Sequence, residues 1–365
     1  MLKRKLGRTG LLVSTVGFGG IPIIARPKVE AVKVVRHAYE LGINYFDAAR
    51  AYGDCEEKIG EALKDVRDDV IMATKTHQRT KGKVAIRHSI RNLQTDRIDL
   101  VQLQHIDDEK TLKKVMSSDG SLTALKEARS KGVIDFIGIT GHNPHVLSKA
   151  IRTGEFDTLS VVLNILDRRA AENLIPLARE MDVGVIIMKA LGGSVSPLQF
   201  PQREASFLGK PKLDWPNASE FIKYFGSDGI ERAKRCLRFV LSHDIDTVIP
   251  GLRSVEEVDL AVKVSEEFKG LSEEEKRLYR FGKSHPEPFC RECGLCSCPE
   301  GIRIPTILRW DRYSTFYGIN NWTKEQYDKL NVKISFCTGC GECEKKCPFN
   351  LPVVKMLKDA ESRLT

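Results

Sequence analysis

Several absences narrow the field first. No apolar run approaches the about 20 residues that a membrane-spanning helix needs, so no membrane span is expected. The N-terminus, M-L-K-R-K-L-G-R-T-G, has no apolar signal core, and a cytoplasmic location is expected. Charge of one sign is not concentrated: 58 basic residues interleave with 49 acidic ones for a net +9, which permits an anionic ligand or an acidic partner but does not read as nucleic-acid binding. No G-x-G-x-x-G opens a helix after the first strand, which counts against a doubly wound sheet. Cysteine is nearly missing from the first 280 residues, where only Cys55 and Cys236 occur, whereas eight of the ten fall between 290 and 347. Disulfides are not expected in a cytoplasmic chain, so the crowded cysteines need another explanation.

What is present, to about residue 283, is alternation of apolar runs and helical patterns. Strands are predicted near 13–20, 44–49, 70–75, 99–106, 135–141, 158–165, 184–190 and 247–250. They are continuous apolar runs, as expected for parallel strands covered on both faces. Eight such strands, each followed by a helix, predict an α/β fold of the (β/α)8 barrel type, with residues 1–10 as a small hairpin on its floor. Active groups of such a barrel sit at the C-terminal strand ends. Asp47 and Tyr52 follow strand two, Lys75 ends strand three and His105 ends strand four. A phenol titrates near about 10 and is a poor acid alone; a nearby ammonium held by a carboxylate favours its anion. A neutral imidazole or amide beside it donates to a carbonyl oxygen. Together these groups suit hydride addition to a carbonyl.

The stretches F-D-A-A-R-A-Y-G (46–53), T-K-T (74–76), D-L-V-Q-L-Q-H (99–105), I-G-I-T-G-H (137–142), L-N-I-L-D-R-R (163–169), V-I-I-M-K-A-L-G-G (185–193) and V-I-P-G-L-R-S (248–254) resemble the aldo-keto reductase family. The resemblance implies a nicotinamide-dependent oxidoreductase for a small carbonyl, alcohol or quinone-like substrate, using NADP or NAD. It implies Tyr52 as general acid, Asp47 and Lys75 as its tuning pair, and a histidine after strand four as the substrate-orienting group. In the family that histidine comes five residues after the strand-four aspartate. Counted from Asp99 this is Gln104, with His105 one place later, and either is the candidate. The resemblance also places Thr140 and Asn164 at the nicotinamide amide, and Met188, with Lys189 beside it, at the stacking position. It puts Glu257 where an arginine usually meets the 2′-phosphate. On physical grounds, the glycine pairs Gly19-Gly20 and Gly192-Gly193 admit close backbone approach. Pro250, Gly251, Arg253 and Ser254 lead into a helix N-terminus suited to phosphate. Residues 194–228 exceed a short loop and are expected to overhang this face as a lid or a packed excursion.

From residue 284 the chain changes character. C-T-G-C-G-E-C-E-K-K-C-P (337–348) has the C-x2-C-x2-C-x3-C-P spacing of a bacterial ferredoxin, whose fourth cysteine ligates the other cluster. With C-R-E-C-G-L-C-S-C-P (290–299) this predicts two [4Fe–4S] clusters. One is held by Cys290, Cys293, Cys296 and Cys347, the other by Cys337, Cys340, Cys343 and Cys298. Zinc is the weaker alternative, since zinc ribbons favour paired C-x2-C knuckles. The segment resembles the ferredoxin-type two-cluster domain appended to some aldo-keto reductases. Expected domains are therefore a barrel at 1–283 and a small α-helical ferredoxin-like domain at 284–365. Nicotinamide moves two electrons and a cubane one, and no flavin signature is present. The readings are an enzyme whose clusters relay electrons to or from a ferredoxin-like partner, one whose clusters are structural, and a nicotinamide-binding redox sensor or regulatory subunit.

Overall fold

In the computed structural model, which describes residues 1–192, 229–284 and 290–365, the chain opens with an antiparallel hairpin of β1 (Lys3–Lys5) and β2 (Leu12–Ser14). Eight parallel strands follow: β3 (Phe18–Gly19), β4 (Tyr45–Asp47), β5 (Ile71–Thr76), β6 (Ile98–Leu103), β7 (Ile134–Gly141), β8 (Thr158–Val162), β9 (Gly184–Met188) and β10 (Thr247–Ile249). They pair in sequence order from β3 to β10, and parallel bridges Val16–Val248 and Gly19–Gly251 close the sheet on itself. The expected barrel is present. The strand predicted at 13–20 divides in two: its first half completes the hairpin, and only Phe18–Gly19 joins the barrel. The hairpin sits on the floor, where Arg8 N donates to Asp182 O at 2.7 Å and Leu6 and Val13 join Tyr45, Ile71, Leu100, Ile186 and Ile249 in one buried cluster.

Helices wrap this barrel as the apolar periodicity predicts. The first, Lys28–Glu40, starts after Pro27 and buries Ala31, Val34, Val35 and Ala38. Gly132, at φ +69, lies just beyond the Ser121–Ser130 helix. The C-terminal segment is helical, with Ile304–Tyr317, Asn320–Asp328, Glu342–Lys345 and Val353–Leu364 around a separate apolar core of Ile307, Leu308, Tyr327, Leu351 and Leu357. Its loops dock on the C-terminal ends of the barrel strands. Asn143, just past β7, donates to Cys293 O at 3.3 Å, and Lys189, just past β9, pairs with Glu292 at 2.5 Å. Among the described residues no helix is long and apolar enough to cross a membrane. The overhang expected at 194–228 lies outside the described residues.

Candidate active site

Each strand end delivers one group. Asp47 closes β4 and Lys75 lies in β5, both buried. The Lys75 ammonium pairs with Asp47 Oδ2 and donates to Ala48 O at 2.9 Å, while Gln102 Nε2 donates to Asp47 Oδ1 at 3.3 Å. Burial pushes the Asp47 carboxyl up, and the Lys75 ammonium pulls against it. The chain then turns: Tyr52 N donates to Ala49 O at 2.9 Å, and Gly53 at φ +47 completes the bend. This brings Lys75 Nζ to 5.4 Å from the Tyr52 ring centroid. Burial raises the Tyr52 phenol well above its usual value, and Tyr313 and Asp47 add to this while Arg309 opposes it. Tyr52 is therefore a neutral phenol with a proton to give.

The structure brings Gln104, not His105, to the phenol. Gln104 Nε2 donates to Tyr52 Oη at 3.4 Å, and its buried Oε1 has no hydrogen-bond partner among the described residues. His105 takes a left-handed backbone, φ +57, just after β6 ends. Its ring stacks on His142 at 5.1 Å, with Nδ1 3.5 Å from Arg309 Nη1 and 3.7 Å from Asp107 Oδ2. Burial first, then Arg309, brings the imidazole down to about 3, so it is neutral at neutral pH.

Beside these groups lies a cleft of about 800 Å³ lined by Asp47, Tyr52 and Lys75 together with Gly19, Gly20, Met188, Lys189, Pro250, Gly251 and Arg253. Ser254 caps the Val255–Glu267 helix by accepting from Glu257 N. Arg253 is not free for an anion: its Nε and its backbone N both reach the Glu257 carboxylate at 2.9 Å. Thr140 is buried in β7 and Asn164 is buried beyond β8, and neither lines the cleft. The Asn164 amide donates to Lys189 O at 3.0 Å and accepts from Leu166 N and Asp167 N. Gly192, at φ +78, donates to Lys189 O, and Gly193 lies outside the described residues.

Sequence reasoning missed the far wall. Tyr313 and Tyr317, from the C-terminal Ile304–Tyr317 helix, line the same cleft. Glu292, between Cys290 and Cys293, is buried against Lys189, Arg309 and Arg312. Nothing in local spacing ties these residues to a strand end, and only the docking of the two parts reveals them.

The cysteines fit cubanes better than zinc. Cys290, Cys293, Cys296 and Cys347 line one cavity of about 340 Å³. Cys296 is pushed up to about 12 by burial and by the three other thiols. Four sulfurs on one zinc ion lie about 3.8 Å apart, from a Zn–S bond of about 2.3 Å. Among the described residues no three cysteine sulfurs come within 4.8 Å of one another; the one close trio is His105, Asp107 and His142. The second loop wraps through left-handed Gly339 and Gly341, both at φ +73, and Cys298 lies close enough to Cys343 to raise its thiol further, after burial.

A closed parallel barrel with this strand-end constellation is that of an oxidoreductase, and residues 15–278 match the aldo/keto reductase family, to which the chain belongs. Residues 289–352 match the 4Fe-4S dicluster domain, so the reductase barrel carries an iron–sulfur domain. L-galactose dehydrogenase of Arabidopsis thaliana is 30% identical over 305 residues, 75% of this chain and 91% of that protein. Among solved structures, the holo form of aldo-keto reductase AKR11C1 from Bacillus halodurans is 30% identical, with a TM-score of 0.63 over 78% of this chain and 96% of that one. An aldo/keto reductase from Klebsiella pneumoniae, solved with NADP and acetate, shares the fold at 21% identity and a TM-score of 0.59, over 77% of this chain and 95% of that one.

Proposed function

We propose that this chain is a nicotinamide-dependent oxidoreductase that reduces a small carbonyl or quinone-like substrate, or oxidises the corresponding alcohol, with Tyr52 as proton donor. The observation that carries this reading is the Tyr52 hydroxyl held by the Gln104 amide at 3.4 Å, beside the Lys75–Asp47 pair, in a cleft open to a small molecule. A reduced nicotinamide supplies the hydride for the carbonyl carbon when bound. Tyr52 gives its proton to the carbonyl oxygen, leaving a phenolate that solvent reprotonates. Lys75 stabilises that phenolate, Asp47 holds Lys75, and the amide of Gln104 orients the phenol. The residues present fit the cofactor: Gly251 carries no side chain into the cleft, where a Cβ would meet Pro22 and Tyr317 of its walls, and the Val255–Glu267 helix begins beside it.

NADP is bound in the Klebsiella relative. Here the Glu257 carboxylate occupies Arg253, which supports NADH as the preferred donor, since a carboxylate accepts from a ribose hydroxyl and repels a 2′-phosphate. We assign one [4Fe–4S] cluster to Cys290, Cys293, Cys296 and Cys347 and the other to Cys337, Cys340, Cys343 and Cys298, with the domains dividing at 283/284. The finer reading is that these clusters exchange single electrons between the cleft and a ferredoxin-like partner. It draws support from the contact of Glu292, in the first cluster loop, with Lys189 in the cleft wall.

The test is Tyr52→Phe. Nicotinamide binding, followed by quenching of protein fluorescence, should persist, while carbonyl turnover falls by roughly a hundredfold or more. Unchanged turnover would rule out the assignment.

A further inference from the structure

The Asp47 carboxylate is held from two sides, and only one of them is charged. The Lys75 ammonium takes Oδ2, while the Gln102 amide donates to Oδ1 at 3.3 Å. Gln102 lies in β6 and is fully buried. A polar side chain inside the barrel is costly unless both ends of its amide are bonded. Both are: Gln102 Nε2 donates to Asp47, and Gln102 Oε1 accepts from Ser160 Oγ at 2.6 Å. A buried chain of contacts therefore runs from Ser160 on β8 through Gln102 on β6 to Asp47 on β4, and ends on Lys75 of β5.

The neighbouring strand makes room for it. Lys75, Gln102, Gly138 and Thr158 are register partners across β5, β6, β7 and β8. To reach Ser160 on β8, the Gln102 side chain passes Gly138 on β7. A Cβ at Gly138 would stand 2.8 Å from Gln102 Cγ, so any larger residue would fill that path. The charge on Asp47 also sets which way the amide faces. Turned over, Oε1 would meet the carboxylate, acceptor against acceptor. Neither Gln102 nor Ser160 lines the cleft, so any effect they have on the reaction passes through Asp47.

We propose that Gln102 is a positioning residue of the proton-donor set: braced by Ser160, its amide holds the Asp47 carboxylate against Lys75, and Lys75 in turn serves Tyr52. This rests on Tyr52 as the proton donor. The groups that face Asp47 are Lys75 from β5, Tyr45 on its own strand, Tyr52 from the turn that follows and Cys55 from the next helix. Lys75 is the one cation among them. Burial pushes the Asp47 carboxyl up, and Lys75 and then the Gln102 hydrogen bond pull it down. Without the amide, Asp47 takes up a proton at a higher pH and Lys75 loses its anchor.

The experiment reads Asp47 itself in the holoprotein and so does not depend on turnover. Its protonation is followed against pH by infrared difference spectroscopy, with the carboxyl band assigned by its loss in Asp47→Asn. In Gln102→Leu, with iron content unchanged, the midpoint should rise by about one pH unit. Ser160→Ala should raise it by less, and should add nothing in the Gln102→Leu background, because it acts only through Gln102. With NADH and 4-nitrobenzaldehyde as probe substrate, kcat of Gln102→Leu should fall about tenfold with KM little changed. An unmoved midpoint in Gln102→Leu would overturn the proposal. So would a Ser160→Ala shift of the same size whether or not Gln102 is present. Should Gln102→Leu fail to fold, Ser160→Ala decides alone, and an unmoved midpoint there overturns the proposal equally. If Tyr52→Phe proves fully active, the reading of the site fails instead, whatever the Asp47 midpoint does.

Discussion

Tyr52 and its neighbours divide into residues that a motif fixes and residues that the backbone redirects. Asp47, Tyr52 and Lys75 were legible because each lies at or just past a strand end in an unbroken stretch, and the strand ends fix their direction. Gln104 and His105 were not separable, because alternation stops at the end of β6 and the left-handed turn at His105 sends its ring away from the phenol to His142. That placement predicts a pH effect. His105 is held near about 3 in the folded chain, against about 6.5 when unfolded. Between those values only the unfolded chain takes up the proton. Stability is therefore fully present above pH of about 6.5 and declines as pH falls through that window. His105→Asn, which tolerates the left-handed backbone, should flatten the fall of Tm between neutral and mildly acid pH. An equally steep fall in the variant would show that other groups carry it.

At the level of elements, the barrel was readable from eight apolar runs, and its seam was not. The Gly19-Gly20 pair reads as a ligand cradle in sequence, yet Gly19 also closes the barrel: a Cβ there would stand 2.5 Å from Pro250 O. Both pieces of backbone are held by the closing bridge, so neither yields easily. Gly19→Ala should destabilise by about 1–3 kcal/mol through overpacking. That is a drop in Tm of several degrees, at roughly 2–4 °C per kcal/mol for a domain of this size. Thermal unfolding of the holoprotein measures it, and an unchanged Tm would mean that the seam opens without cost. A floor hairpin was expected within residues 1–10, but its second strand was hidden, because Leu12–Ser14 continues the apolar run of β3 and only its pairing with Lys3–Lys5 separates the two. In the C-terminal segment the cysteine spacing carried the assignment, since ligand spacing is local. The helix that lines the cleft was not legible, since Arg309 and Tyr313 lie more than 200 residues from Tyr52 in sequence.

Across the whole molecule, the iron–sulfur domain is not a passenger on the barrel. It covers the catalytic face, supplies Tyr313 and Tyr317 to the cleft, and places Glu292 of the first cluster loop on Lys189. The candidate reductase cleft and the loop of the first cysteine run thus share one buried charged interface. The central claim is that they work as one redox unit, with NADH or NADPH able to deliver two electrons, one to each cluster, and to release one proton. The measurement that tests it most directly is an anaerobic titration of the holoprotein with NADH and, separately, NADPH, followed by electron paramagnetic resonance. The account predicts reduced-cluster signals that grow with added nucleotide and are lost when a carbonyl substrate or an oxidised ferredoxin-like acceptor is supplied. Clusters that stay silent while the same protein turns over a carbonyl would contradict it.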